Sequence, residues 1–355
     1  MFLALNEIKH SKLRYALVIG VTFLIAYLVF FLTGLSYGLA QENRMAVDKW
    51  HATDILLSDK ANDSLSMSRL DPQMLNQVKA KEKAVLAQTP GIIIDSKDDQ
   101  KKQNVSFFGI NPEQFLKPNI VKGKMFQETG DVVADKSLET QYDYKLGDKV
   151  KLATNDQILT IVGFTDQAKF SVSPVLYTSL ETIQLMRNGA SMSGQQSVSV
   201  NAIITKGSPS ETAGLKKLSI HDFINKLPGY SAQVLTFGFM IGFLVVIAAI
   251  VIGIFVYVLT MQKIALFGVM KAQGISSRYI ANSVVAQTFI LAFTGVITGL
   301  IATVLSALVL PDAVPFQSQP VFLAVIAVLI VLVAILGALF SVRSIVKIDP
   351  LKAIG

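Results

Sequence analysis

The chain has 355 residues, of which 52% are apolar and 16% are charged, and its formal net charge is +7. It contains no cysteine, which excludes disulfides and thiolate metal sites, and only three histidines, which argues against a catalytic zinc centre. The basic excess lies beside the apolar stretches described below, so it indicates membrane orientation rather than binding to nucleic acid.

Four long stretches contain no charged residue, and each exceeds the ~20 residues that a helix needs to cross the hydrocarbon core of a bilayer. These stretches are Tyr15–Gln41, Ser231–Gln262, Tyr279–Pro311 and Ala313–Val342. One stretch comes first, a mostly polar segment follows, and three stretches come last. The sequence therefore predicts a membrane α-helical protein with four transmembrane helices in a 1+3 arrangement.

The first stretch follows basic residues, as the apolar region of a secretory signal does. Its apolar part is longer than the ~7–15 residues of such a signal, so we expect an uncleaved anchor. Basic residues also lie between the second and third stretches and after the fourth, whereas the link Pro311–Pro315 has none. Both termini are therefore expected in the cytoplasm and the polar segment outside, in the manner of a multi-pass protein of the bacterial cytoplasmic membrane.

The chain is thus divided into an N-terminus with helix 1 (residues 1–41), an extracytoplasmic domain (residues 42–230) and three further helices (residues 231–355). The middle domain is predicted to be mixed α+β. Helices are expected at Asp71–Gln88, which begins with an Asp-Pro pair, and at Leu180–Arg187. The alternating patterns predict strands at Val105–Ile110, Val150–Leu152, Ile158–Phe164 and Ser173–Tyr177, and the charged segment Asp95–Asn104 is expected to be a solvated loop.

A short cytoplasmic segment, residues 263–278, separates the second and third apolar stretches. Its apolar pattern predicts a short helix, and Gly274 with Ser276-Ser277 predicts a turn and an N-cap for the next helix. It is either a simple connector or a coupling helix that contacts a motor protein. For the second case the candidate contact residues are Leu266, Phe267, Met270, Lys271 and Gly274.

Three motifs together resemble those of a known family. The cytoplasmic segment reads ALFGVMKAQGIS (residues 265–276), and the C-terminus reads VRSIVKIDPLKAI (residues 342–354). The outer domain contains LGDKV followed by LTIVGF. These segments resemble the coupling loop, the C-terminal ending and the outer hairpin of type VII (MacB/FtsX-like) ABC transporter permeases, although the family's usual glutamate is absent near Ala265. The start NEIKHSKLRY and the segment LTGLSYGLAQEN resemble the haem-exporter branch of that family.

The resemblance implies a permease subunit rather than an enzyme. No Walker A motif occurs in the sequence, so ATP and Mg would bind a separate cognate ATPase subunit. The family further implies two permeases with two ATPases, and hence a second copy of this chain as partner, besides the membrane lipids. No cofactor is expected on this chain, and haem is the expected substrate.

Pairs of glycines four residues apart permit close helix packing. Such pairs are Gly34/Gly38, Gly238/Gly242 and Gly295/Gly299. The first two pairs are both expected in the outer leaflet, because helix 1 runs outward and helix 2 inward. Helices 1 and 2 are therefore predicted to pack there and to line the dimer interface.

A haem site is predicted at the same level, since haem needs an apolar slot, an iron ligand and a cation for its propionates. The candidate residues are Tyr37, Glu42, Arg44, Met45, Tyr230, Phe237 and Met240. Glu42 or Tyr37 would ligate the iron, with Met45, Met240 or His51 as alternatives, and Arg44 would pair with a propionate. The tyrosines also fit an aromatic belt, and Glu42 and Arg44 also fit the point where a helix leaves lipid.

The sequence therefore favours the permease of an ATP-driven haem exporter. Two other functions remain open: a mechanotransmitter that regulates an extracellular cell-wall hydrolase, and an exporter of antimicrobial peptides or lipids.

Overall fold

The computed structural model describes residues 12–188 and 199–346, with side chains described for residues 12–187 and 199–340. The helices are α1 (Lys12–Asp48), α2 (Met74–Gln77), α3 (Ser137–Tyr142), α4 (Leu180–Asn188), α5 (Ile220–Asn225), α6 (Tyr230–Met261), α7 (Ile264–Ala272), α8 (Ser277–Val309) and α9 (Pro320–Val346). The strands are β1 (Asp54–Leu57), β2 (Glu82–Asp95), β3 (Asp98–Ile110), β4 (Lys122–Gly123), β5 (Asp131–Asp135), β6 (Lys149–Leu152), β7 (Ile158–Thr165), β8 (Lys169–Phe170), β9 (Ser173–Thr178), β10 (Ala202–Lys206) and β11 (Lys216–Ser219).

The chain divides into two compact units. A membrane unit comprises the residues up to Gly38 and from Leu235 onwards, and an outer unit comprises Leu39–Val234. Helices α1, α6, α8 and α9 are, in the part of the chain that the structure describes, the four that are long and apolar enough to cross a membrane. A helix bonds its own backbone groups, which is what an apolar medium without water requires. The predicted 1+3 set of helices is confirmed.

Local signals in the sequence set the helix ends of the membrane unit. The side chain of Ser276 caps α8 by accepting a hydrogen bond from the backbone N–H of Tyr279, as predicted. Gly274 has a φ of +86°, a conformation that glycine adopts without a steric penalty. Pro311 follows the end of α8 closely, and Pro320 stands at the first position of α9, where its missing N–H costs no hydrogen bond.

Glycines bring α1 against α8 and against the linker between α8 and α9. A Cβ added at Gly295 would lie 2.7 Å from the Cβ of Thr22, so α1 and α8 approach closely. A Cβ at Gly38 would lie 1.9 Å from the carbonyl oxygen of Pro315. The linker is also tied to α1 by a hydrogen bond of 3.2 Å from the N–H of Gln317 to the oxygen of Gly34.

The predicted packing of α1 on α6 through glycine pairs is wrong for the protomer. Gly34 and Gly38 are covered by the α8–α9 linker, which folds back over α1. Around Gly238 and Gly242 of α6, the described residues place no atom within 4 Å of an added Cβ. The α6 pair is thus open in the protomer.

The outer unit is built on one mixed sheet of eleven strands. Its main order is β11-β1-β10-β2-β3-β9-β5-β7-β4, while β6 pairs with β2 and β7, and β8 pairs with β9. The pairs β3–β9 and β5–β7 are parallel and the others antiparallel. Neighbouring residues Phe107 and Phe108 point to opposite faces and lie in two different buried clusters, so the sheet is covered on both faces.

Most predicted elements of the outer unit are confirmed. The strand at Val105–Ile110 lies within β3, the hairpin lies at β6 and β7, and the last strand and helix coincide with β9 and α4. The predicted mixed α+β fold is therefore present.

Two local predictions for the outer unit are wrong. The helix expected at Asp71–Gln88 is only the single turn α2. From Glu82 onwards the chain forms the strand β2, which pairs with β10 and β3. The loop expected at Asp95–Asn104 is the tip of the β2–β3 hairpin, which turns at residues 96 and 97. Its charged side chains are spread over the two exposed strand ends, so high charge did not indicate absence of strand.

Candidate ligand site and coupling segment

The outer end of α1 carries a buried ion pair. The carboxylate of Glu42 lies 2.5 Å from Nζ of Lys169, and the two side chains are only 11% and 12% exposed. Lys169 belongs to β8 and is 127 residues from Glu42 in the chain, so no local sequence pattern indicates this pair. Iron ligation by Glu42 would leave Lys169 buried without its partner, which is strongly unfavourable.

The hairpin formed by β8 and β9 holds the same part of α1 through its backbone. Its two-residue turn, Ser171-Val172, has φ values of 50° and 67°, as in the hairpin turns that favour positive φ. The N–H groups of this turn donate to the carbonyl oxygens of Asn43 (3.1 Å) and Glu42 (3.2 Å). Val172 is β-branched and strained at positive φ, so these contacts fix an unfavourable conformation. We call this set of contacts the hairpin clasp.

Arg44 is held by two other residues of the outer unit. Its guanidinium donates to both carboxylate oxygens of Asp48, at 2.7 and 2.6 Å, and to the hydroxyl of Tyr230 at 3.4 Å. The structure therefore brings together two of the predicted site residues, Arg44 and Tyr230. Because Asp48 occupies the fork of the guanidinium, a propionate would have to share Arg44 with it.

Helix geometry separates the remaining candidates on α1. Tyr37 and Arg44 are seven residues apart, about 700° of rotation, so they lie on nearly the same face. Glu42 is turned by about 140° from Tyr37 and faces Lys169 instead. Met45 lies between the two faces. Along α1, Arg44 thus shares a helix face with Tyr37 that Glu42 does not share.

Phe237 and Met240, three residues apart, share a face of α6 within the membrane unit. Both are partly exposed, while Phe239 and Phe243 nearby are more exposed, at 61% and 67%. This end of α6 therefore presents aromatic and thioether side chains that lipid, a second copy or an apolar ligand would cover.

The short helix predicted within residues 263–278 is present as α7. Phe267 is 2% exposed and packs in the membrane unit's core, with Met270 half-buried beside it. Leu266 is 50% exposed and Val269 is 41% exposed. Phe267 therefore packs into the core of the membrane unit and anchors the helix there. Val269, which was not among the predicted contact residues, belongs to the exposed face.

A buried polar cluster lies directly before α7. The hydroxyl of Tyr15, on α1, accepts a hydrogen bond from Nζ of Lys263 at 2.6 Å and another from the side-chain amide of Gln287 on α8. Tyr15 is 1% exposed and Gln287 is 6% exposed. We call this cluster the polar lock. Polar groups at membrane depth are costly and often functional, so the amide of Gln287 within the third apolar stretch was the available signal.

Elsewhere the outer unit is rich in ion pairs. Asp63 bonds Lys216 at 2.6 Å and also contacts Lys226, and these hydrogen bonds hold the pKa of the Asp63 carboxyl below its usual value. Burial lowers the pKa of Lys49, against the opposing contact with Asp166. Among the described residues, no group of three or more histidine, aspartate and glutamate side chains is arranged to hold a metal ion.

Comparisons with known proteins find two family models along the chain. Residues 15–214 match the MacB-like periplasmic core domain, and residues 238–350 match the FtsX-like permease C-terminal region. The C-terminal motif lies partly in this match, and its last part lies outside the described residues.

Similar proteins span the full length of the chain. A protein named putative hemin transport system permease protein HrtB, from Staphylococcus haemolyticus, is 27% identical over 357 residues, covering 100% of this chain and 99% of its own. An uncharacterized ABC transporter permease of Mycobacterium tuberculosis is 24% identical with the same coverage. The periplasmic region of MacB from Actinobacillus actinomycetemcomitans aligns with 44% of this chain and 74% of its own, at 18% identity and a TM-score of 0.33.

Proposed function

The chain belongs to the family of ABC transporter permeases that have a MacB-like periplasmic core and an FtsX-like C-terminal region, and we propose that it is the membrane subunit of an ATP-driven haem exporter. The full-length similarity to the staphylococcal HrtB proteins is the observation that carries this proposal. A fold alone does not define a substrate, which depends on the residues of the binding site.

The motor is proposed to be a separate ATPase that binds ATP and Mg, because this sequence has no Walker A motif. Two ATPases would assemble with two copies of the chain. The exposed side chains of Leu266 and Val269 on α7 would contact the ATPase, with Lys271 and Gly274 at the end of that helix. Phe267 and Met270 would transmit the movement inward, because they pack against the membrane unit's core.

The proposed orientation follows from the basic residues of the chain. Both termini and α7 would lie in the cytoplasm, and the outer unit would lie outside a bacterial cytoplasmic membrane. The outer ends of α1 and α6, with the side chains on them, would then lie at the outer leaflet.

The haem-binding residues are proposed to lie on the outer part of α1. Tyr37 would ligate the ferric iron through its oxygen, as tyrosine does in some haem proteins, and Arg44 on the same face would bind a propionate. This assignment favours Tyr37 over Glu42, because Tyr37 shares a helix face with Arg44, whereas iron ligation by Glu42 would leave Lys169 buried without its partner. On α6, Phe237 and Met240 would provide apolar contacts.

Export is proposed to work by closure rather than by a channel. ATP binding would bring the two motor subunits together and push α7 of each copy. The helices would then close the outer-leaflet site, so that haem leaves outward without crossing the whole bilayer. Such gating requires only that the ligand binds the two conformations with different affinities.

The test is a haem titration of the permease–ATPase complex in lipid nanodiscs, with the Soret band and ATP hydrolysis measured together. We expect saturable binding of one haem or fewer per protomer, coupled to the ATPase rate. Tyr37→Phe should weaken binding by about tenfold or more and change the Soret spectrum, because it removes the proposed iron ligand. Tyr257→Phe is the matched control, since Tyr257 lies at the other end of α6 and is exposed.

Non-saturable partitioning that is the same in all three proteins would exclude haem as the substrate. The complex would then be tested with antimicrobial peptides and lipids, and with a cell-wall hydrolase that binds the outer unit. Saturable binding that Tyr37→Phe leaves unchanged would retain haem and reject the assignment of Tyr37.

A further inference from the structure

The outer unit contains a cavity of about 270 Å³ that the proposed transport function does not use. Its apolar walls come from distant parts of the chain and are almost fully buried residues. They are Leu65, Val105, Phe170, Phe223 and Leu227. Small-molecule sites have this character: mostly apolar walls with a few polar groups, and volumes from about 300 Å³ upward. The cavity therefore suits a ligand of about one aromatic ring.

One polar group in the cavity wall lacks a partner. The side chain of Gln88 lines the cavity, is 6% exposed and donates through its amide nitrogen to the hydroxyl of Ser106 at 3.1 Å. No described residue provides a hydrogen bond to its other end, Oε1. Buried polar atoms are normally hydrogen-bonded, and leaving one without a partner is unfavourable. We therefore expect this atom to form a hydrogen bond with a ligand group or with an ordered water.

The orientation of the amide does not change this conclusion. The two ends of a glutamine amide are assigned from their hydrogen bonds, and the Ser106 hydroxyl is able to bond either end. In one orientation the unpaired atom is an acceptor, and in the other it is a donor. A ligand hydroxyl both donates and accepts, so it satisfies Gln88 in either orientation.

The charges in the wall favour a neutral ligand. Asp63 and Lys226 both line the cavity, and they form an ion pair with each other. Asp63 also pairs with Lys216, so its charge is already compensated. A ligand with its own charge would have to compete with these pairs, whereas an uncharged ligand leaves them intact.

We propose that this cavity binds a small uncharged phenol or alcohol, with its apolar body between Phe170 and Phe223 and its hydroxyl at Gln88. Ser171 of the hairpin clasp and Ser173, the first residue of β9, line the same cavity, and so does Leu227, which lies three residues before the start of α6. A bound ligand therefore contacts the segment that holds α1. The proposal does not depend on haem being the exported substrate.

The test uses the full chain in nanodiscs with two probes, 4-fluorophenol and fluorobenzene, followed by ¹⁹F NMR. The probes share the ring and differ in the hydroxyl, and empty nanodiscs measure their partition into lipid. We expect saturable binding of 4-fluorophenol, about tenfold tighter than that of fluorobenzene. Gln88→Met keeps the side-chain length and removes the amide, so the two probes should bind this variant equally.

A second readout uses the absence of native cysteine. A cysteine at Ser173 in the cavity wall should react with a maleimide more slowly when 4-fluorophenol is present. A cysteine at Ser210, which is exposed elsewhere on the outer unit, should react at an unchanged rate. This measurement stands even if Gln88→Met fails to fold.

Two results would overturn the proposal. Equal binding of both probes to the wild type would mean that the hydroxyl is not recognised. Signals that match empty nanodiscs, together with no protection of the cysteine at 173, would mean that the cavity binds neither probe.

Discussion

The buried ion pair between Glu42 and Lys169 should stabilise the outer unit only as a pair. We predict that Lys169→Met destabilises the outer unit strongly, because it leaves the Glu42 carboxylate buried without its cation. We further predict that the double variant, Glu42→Met with Lys169→Met, recovers most of the loss, because no uncompensated charge remains.

The expected magnitudes follow from burial. The two side chains are 11% and 12% exposed, so removing one partner should lower the free energy of unfolding by about 3–5 kcal/mol. An apolar replacement of the whole pair is often neutral, so the double variant should lie within about 1 kcal/mol of the wild type. The exposed pair Lys79–Glu211, at 67% and 55%, provides the matched control, and Lys79→Met should cost less than about 1 kcal/mol.

The assay is equilibrium unfolding of the full chain in denaturant, followed by tryptophan fluorescence. Trp50 is the only tryptophan in the sequence, and it is 2% exposed in the core of the outer unit. Its emission therefore reports the outer unit without interference from the membrane helices. If Lys169→Met shifts the unfolding no more than Lys79→Met does, or if the double variant is as unstable as the single one, the reasoning about burial is refuted.

Three further predictions concern other parts of the chain. Gly38→Ala should destabilise the membrane unit by about 1–3 kcal/mol because its Cβ has no room, whereas Gly238→Ala should leave the protomer's thermal unfolding, measured by circular dichroism, unchanged. In the folded chain the pKa of Asp63 lies below its usual value of 3.8, because Lys216 and Lys226 bond the ionised carboxylate. The stabilisation of the fold that comes from these ion pairs is therefore present above pH 3.8 and is lost as the pH falls through the lower pKa of the folded chain. Asp63→Asn should therefore reduce the acid-induced fall in the unfolding midpoint that Trp50 reports, and an unchanged pH profile would contradict this. Lys263→Met should reduce coupling of ATP hydrolysis to export without moving the Trp50 transition, and unimpaired export would show that the polar lock is not needed.

Local sequence signals were enough for the membrane helices and for four of the eleven described strands, namely β3, β6, β7 and β9. Charge-free stretches of sufficient length give helices in lipid whatever their neighbours are, so α1, α6, α8 and α9 could be predicted. The α8 cap at Ser276 and the β6–β7 hairpin also depend on residues close in sequence. The strand β2 was missed because its conformation is fixed by pairing with β10 and β3, and such non-local contacts override helical propensity.

The candidate site was less predictable for the same reason. The identities of Glu42 and Arg44 were visible, but their partners Lys169 and Tyr230 come from distant segments. The burial of Phe267 also could not be derived, since its neighbour Leu266 has the same character and is exposed. Sequence patterns indicated which residues had suitable chemistry, and tertiary contacts decided which of them are already occupied.

The glycine pairs of α1 and α6 are under different packing constraints, so the two pairs should differ in conservation among related chains. Gly34 and Gly38 are confined by the protomer's own linker, so related chains must keep them for folding alone. Gly238 and Gly242 face open space in the protomer, so folding permits them to drift to larger residues. Small residues retained at those two positions among distant relatives would require a constraint from outside the protomer, such as a second copy. Free drift there would assign that face of α6 to lipid.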